Sequence, residues 1–425
     1  MKSALQTLAA TALLLTLSAC HRAPTLNDLA HTYVSLEAQL GERDRDSLDF
    51  NISTDPAILQ QQHNPQPLAA LRQSAEELFN QSFAIHTTNP EEEARRAFLL
   101  EQTNALRTRI DELRGTNLDF DHESMNRFSV AALSDTEANQ RQQTRAQIST
   151  LLNNPHDLPA AYAHFETQFI VPTNRVPAVM LAAIQQCRTI TLQHIQLPTN
   201  EHVDLELTGH KPWAAFSHYL GNAHSIIQLN MDYPYTLDAL LTLACHEGYP
   251  GHHVFNTLRD QSLAQAQHRE EFTVQPTFSP QSFVSEAAAT YAPTLALTQE
   301  ARLHIERDIL APLAGLNHPN LELALQIEPL IDSLHTASPA IARDYLDGNL
   351  EFVRAADALR RETLMQHPEP TLLYLNEFRS YMLTYTLGAD RMKAFIEANN
   401  ATPETRWTRY KSLMTTPTLS LPQAP

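Results

Sequence analysis

Only 9 glycines occur in 425 residues. Glycine serves tight turns and is costly inside helices, so its scarcity leans towards a helical protein. Basic residues are also few: 30 Lys and Arg against 48 Asp and Glu give a net charge of -18. That balance argues against a nucleic-acid partner, which needs a basic face, and against electrostatic attachment to anionic lipid. The 3 cysteines are too few for a disulfide scaffold. Internal repeats and low-complexity blocks are absent too, which leaves one large domain or two ordinary ones for this length.

The N-terminus reads as an export signal. Lys2 supplies the positive end, and Ala4 to Leu17 form an apolar stretch too short for a good membrane span. Leu17-Ser18-Ala19-Cys20 resembles the lipobox of bacterial lipoproteins. The resemblance implies removal of residues 1–19, lipidation of Cys20 and an anchor made of several acyl chains. His21, where Asp would retain the protein at the inner membrane, implies the periplasmic face of the outer membrane in a Gram-negative host. An oxidising periplasm permits a Cys187–Cys245 bridge, but spacing alone cannot bring the two together. Cys245 ends the apolar run Leu240-Leu-Thr-Leu-Ala-Cys245, which favours a buried, inert thiol.

Helix signals dominate the rest. Asn89-Pro90-Glu-Glu-Glu93 combines a cap, a first-turn proline and acids at the positive helix end. Leu99, Leu106, Ile110 and Leu113 follow at helical spacing until Gly115. Ser134-Asp-Thr-Glu137 has the capping-box pattern. Residues 175–195, 282–306, 320–336, 338–362 and 370–397 are also predicted helices. Strands are expected at Val203–Leu207 and Ser225–Asn230, a loop at 266–282, and a mobile tail at 415–425. The expected fold is mainly α: a helical scaffold over 20–195, then a domain over 196–414 that carries a small β-sheet.

The chemistry concentrates in His246-Glu247-Gly248-Tyr249-Pro250-Gly251-His252-His253. It follows Thr236, a good N-cap, and the apolar run to Cys245, so His246 and Glu247 stand at a helix end. Neutral imidazole binds zinc well, and a carboxylate beside the metal can take a proton from water. The spacing is not that of the zinc helix HExxH, whose two histidines lie one turn apart. In a regular helix neither His252 nor His253 could share a metal with His246. Pro250 breaks the helix, and Gly248 and Gly251 relieve backbone restrictions, so a bulged turn can bring His252 round. Spacing favours His252 as ligand and leaves His253 to a supporting or substrate-contacting role.

The segment resembles the HExxPGHH signature of a widespread bacterial family grouped with the thermolysin-like gluzincins. That resemblance implies a zinc metallopeptidase domain with a third ligand from a following helix. Phe283-Val-Ser-Glu286-Ala-Ala-Ala-Thr-Tyr291 is similar to the family's EGWxxY segment, with Glu286 at the ligand position, Tyr291 at its tyrosine and Ala287-Ala288 replacing Gly-Trp. Arg379-Ser-Tyr381-Met-Leu-Thr-Tyr385-Thr-Leu-Gly388 resembles its late GQAxxYxxG motif, with Ser380-Tyr381 in place of Gly-Gln. Tyr385 is then a candidate oxyanion donor, with a core tyrosine as the competing reading. Arg379 could bind a substrate carboxylate, but the favoured reading is a surface residue.

The expected function is a zinc-dependent hydrolase of peptide bonds. His246, His252 and Glu286 hold Zn²⁺, Glu247 is the general base, and short peptides are the substrates if the N-terminal helices wall the cleft. The Ser225–Asn230 strand would pair with an extended substrate. The rival readings are a zinc hydrolase of other amides or esters, and a non-catalytic zinc-binding or partner-binding lipoprotein.

Overall fold

Capping chemistry fixes where the helices begin in the computed structural model, which describes residues 23–131, 135–317 and 320–417. Cys20 and the last eight residues of the tail lie outside these ranges. Thr25 and Asp28 form a reciprocal capping box on the Leu26–Arg43 helix. Asn89 accepts from the Glu91 N–H at 2.9 Å and opens the Pro90–Leu113 helix. Thr236 accepts from the Ala239 N–H at 3.1 Å and opens the Leu237–Leu243 helix, which leads into the HExxPGHH segment. Among the described residues the chain is mainly helical, as expected, with two small sheets where one was expected.

Several boundaries differ from expectation. Ser134 lies outside the described residues; the Ala138–Leu151 helix starts later than the proposed capping box, with Glu137 itself at the cap position. The 282–306 prediction divides because Thr298 caps a new helix after Pro280–Ala296 ends. The 338–362 prediction divides at Gly348, whose φ of 77° no helix tolerates. A 3₁₀ stretch at Arg379–Thr384 interrupts 370–397.

The strands are β1 (Leu48–Asn51), β2 (His202–Thr208), β3 (Ala215–Tyr219), β4 (His224–Asn230) and β5 (Val274–Pro276). β5 lies in the predicted 266–282 loop and pairs antiparallel with β1, whose partner sequence is more than two hundred residues away. The other sheet has the order β2-β4-β3, with β2 parallel and β3 antiparallel to β4. The Ser225–Asn230 strand therefore occupies the middle of its sheet. Both of its edges are paired, and it cannot receive a substrate strand as expected.

Two apolar cores form. Leu29, Tyr33, Leu71, Leu99 and Leu106 pack with Phe272 and Val274. The larger core joins residues 120–195 to the segments after 196, so the expected division at 195/196 does not separate two cores. Cys187 on the Val176–Thr191 helix is disulfide-bonded to Cys245, with the Cα atoms 5.4 Å apart. The inert-thiol reading is thus corrected: the bond ties that helix to the residue directly before His246.

Candidate metal centre

Five residues separate His246 from His252, and the backbone between them departs from helix in a specific way. The Leu237–Leu243 helix widens into a π-turn over Ala244–Gly248, the Tyr249–Pro250 peptide is cis, and a new helix starts at His252. Gly251 folds back onto this turn, its N–H donating to Cys245 O at 3.0 Å. A β-carbon at Gly251 would stand 2.5 Å from Cys245 O and closer still to His246 O. Gly248, in contrast, has only Ile227 Cδ1 at 3.5 Å. The close approach thus needs glycine at 251 alone, and it brings the His246 and His252 rings to 4.9 Å.

Glu286 completes the group from the buried Pro280–Ala296 helix. Its Oε1 lies 2.9 Å from His246 Nε2 and its Oε2 3.3 Å from His252 Nε2. The three donor atoms lie within 4.8 Å of one another. Glu286 Oε1 is buried and accepts no well-aligned hydrogen bond although His246 Nε2 lies 2.9 Å away, so it is free to serve as a ligand atom. Two imidazoles and a carboxylate so arranged fit zinc, which takes N and O ligands tetrahedrally and keeps a fourth position open in catalytic sites. Burial opposes charge on Glu286, but His252 and His246 outweigh it and hold the carboxyl well below its usual range. Tyr381 OH donates to Glu286 Oε2 at 3.0 Å, and Ser285 Oγ lies 3.4 Å from His252 Nδ1. Partners of this kind orient metal ligands.

Glu247 is 4% exposed beside the group. Burial pushes its carboxyl up to about 7, aided by Glu286 and Asp49 and opposed by His246 and by the Ser217 N–H it accepts. Asp49, on β1, is itself raised to about 6 by burial, with Thr277 and His252 opposing. The N-terminal region thus contributes a carboxylate to the electrostatics of the centre.

The centre opens on a cleft of about 950 Å³ whose wall includes His246, Glu247 and Tyr385. Tyr385 is 38% exposed to it, its ring 6.4 Å from that of His246 and its hydroxyl 3.3 Å from Tyr374 OH. Among the described residues of the expected scaffold, only the segment from Tyr162 to Ile170 lines this cleft; the helices up to Leu113 do not reach it.

Two expected supporting residues stand elsewhere. His253 is fully buried on the far side of its helix, with Nε2 3.1 Å from Glu201 Oε2 and Nδ1 2.9 Å from Ser225 Oγ. Burial lowers its pKa despite Glu201, so the neutral ring donates to Glu201 and accepts from Ser225. It anchors the turn to the sheet and is out of a substrate's reach. Tyr291 donates to Glu397 at 3.0 Å and packs in the larger core. Five residues after Glu286, it lies roughly 140° round the helix and faces away from the ligands. Arg379, expected at the surface, pairs with buried Glu123. Tyr381, Asp49 and Glu201 carry no local spacing signal; Tyr381 was visible only as an oddity of its motif.

No protein-family model matches the chain, and no curated protein matches it. Among solved structures, it is similar to "the putative lipoprotein from Colwellia psychrerythraea", with 12% identity over 85% of this chain and 73% of the other at a TM-score of 0.47. A "putative lipoprotein of unknown function from Shewanella oneidensis" gives 11% identity, 85% and 76% coverage and a TM-score of 0.44.

Proposed function

We propose that this chain is a zinc-dependent hydrolase of peptide bonds. The observation that carries the reading is the convergence of His246, His252 and Glu286 beside buried Glu247 in one large cleft. The HExxPGHH resemblance points the same way. Zinc, when bound by these three residues, supplies a Lewis acid for the scissile carbonyl and makes water acidic near neutral pH.

The chain's own residues supply the rest. Glu247 takes the proton of the attacking water on its carboxylate and returns it to the leaving amine nitrogen. Burial raises the proton affinity of Glu247 above that of an ordinary carboxylate, which suits a group that must both take and return a proton. Tyr385, its ring partly exposed in the cleft but its hydroxyl kept protonated by desolvation at the cleft wall and by the charge of Glu286, donates to the developing oxyanion. β3 replaces β4 as the strand a peptide would join. Residues 214 and 216 bond to β4, so the Ala215 N–H and C=O point away from it, on the side of the cleft. Ile170, Trp213, Tyr233 and Met365 make the walls apolar, which favours apolar side chains in the substrate. The lipobox resemblance supports a lipid anchor for this activity at Cys20, and His21 supports the periplasmic face of the outer membrane in a Gram-negative host.

The test is a screen of short peptides, other amides and esters with the zinc-loaded protein and Glu247→Gln. Peptide cleavage that falls at least about 10³-fold in Glu247→Gln is expected, since base and proton donor are lost together. Turnover of esters alone reassigns the substrate class. Stoichiometric zinc without any turnover overturns the enzyme reading in favour of a binding role.

A further inference from the structure

Beside the cleft lies a second, smaller cavity of about 50 Å³. Tyr162, Glu166 and Thr236 belong to both walls. Three carboxylates, Asp238, Glu306 and Glu328, bring one oxygen each within 4.8 Å of the others there. They come from three separate helical segments. Asp238 is on the Leu237–Leu243 helix, Glu306 on the π-helical turn Ile305–Leu310, and Glu328 on the Leu321–Leu334 helix.

Glu306 sets this group apart from an ordinary acidic patch. It is 0% exposed, and neither of its side-chain oxygens receives a hydrogen bond. The nearest cation is Arg302, whose Nη1 stands 3.8 Å from Glu306 Oε1 and is engaged with Asp238. Among these four groups, one guanidinium faces three carboxyl groups, so without a further cation two of them must take up protons. Burial and the charge of Glu328 push Glu306 well above the carboxylate range; burial, against Arg302, does the same to Glu328. A buried carboxylate without a partner is costly to ionise, so such a site calls for a cation or a proton.

We infer that Asp238, Glu306 and Glu328 form a second metal site, distinct from the zinc centre, for a hard divalent cation of the calcium type. All its donors are carboxylate oxygens, which suit Ca²⁺ and its six to eight oxygen ligands rather than zinc. The cavity admits the ion with about two or three waters to complete its shell. A divalent charge matches the deficit. The site also has a structural consequence. Asp238 sits eight residues before His246 on the segment that ends in the zinc ligand, so the ion fastens the root of that segment to the two helices behind it.

The test uses the full chain loaded with zinc and freed of other divalent ions. Ca²⁺ should raise its Tm by several degrees, and Tb³⁺, sensitised by Tyr162, should saturate at one ion per chain and be displaced by Ca²⁺. Glu306→Gln should lose both responses while keeping its zinc, and should fold with a Tm at or above that of the calcium-free wild type. Glu328→Gln should lose them as well, so the result does not depend on one variant. Absence of a calcium-dependent Tm shift and of displaceable Tb³⁺ in the wild type overturns the inference. So does a calcium response that survives in either variant.

Discussion

Gly251→Ala is expected to disable the proposed metal centre although residue 251 brings no side chain to any of the three candidate ligands. The added β-carbon would lie 2.5 Å from Cys245 O and nearer to His246 O. Ordinary contact needs about 3.4 Å, so the two strands of the turn must part by about 1 Å or more. The His246, His252 and Glu286 donor atoms lie within 4.8 Å of one another, and a shift of that size removes one of them from a shared ion. Overpacking of this kind costs about 1–3 kcal/mol of stability. A displacement of about 1 Å in a positioned site costs about 10²-fold in its performance. Gly248→Ala is the control: its β-carbon meets only Ile227 at 3.5 Å, so stability should change by less than about 1 kcal/mol. Chemical denaturation and competition with a zinc chelator measure both quantities. Wild-type zinc affinity and stability in Gly251→Ala, or equal losses in both variants, would refute the steric account of the turn.

Three further outcomes follow from the contacts around the centre. Replacing Cys187 and Cys245 by Ser should cost about 4 kcal/mol by the chain-entropy relation for a separation of 58 residues, read by urea unfolding under non-reducing conditions. Tyr381→Phe removes the 3.0 Å donor to Glu286 and should weaken zinc binding about 10–100-fold with the fold retained. Glu201 titrates at about 2: burial opposes its charge, but hydrogen bonds from His253, Tyr249 and Arg188 outweigh it. A depressed carboxyl stabilises the fold above its unfolded pKa of about 4.5 and loses that contribution as pH falls towards 2. Glu201→Gln should flatten the acid limb of the pH–stability curve over that window; an unchanged limb would remove Glu201 from the account.

Helix content, and the grouping of His246, His252 and Glu286, were legible because their signals are local. Pro250 forbids a continued helix, and Glu286 sits in an apolar helical run of recognisable pattern. What was not legible depends on distant chain segments. Nothing in Leu48–Asn51 points to Val274–Pro276, and β4 carries no mark of lying between two partners. The alternation that reads as a strand is the same at an edge and in the middle. Cys187 and Cys245 meet only because the Val176–Thr191 helix packs on the π-turn. Tyr291 was misassigned for a simpler reason: its motif position suggested the site, while helical geometry turns it away.

The claim underlying these predictions is that His246, His252 and Glu286 share one zinc ion. Anomalous diffraction from crystals of the zinc-loaded protein, recorded on both sides of the zinc K-edge, tests it most directly. The account predicts a zinc peak among the Nε2 atoms of His246 and His252 and the Glu286 carboxylate, absent in Glu286→Ala. A fully loaded crystal with no peak at that point, or with the zinc on His253 instead, would contradict it.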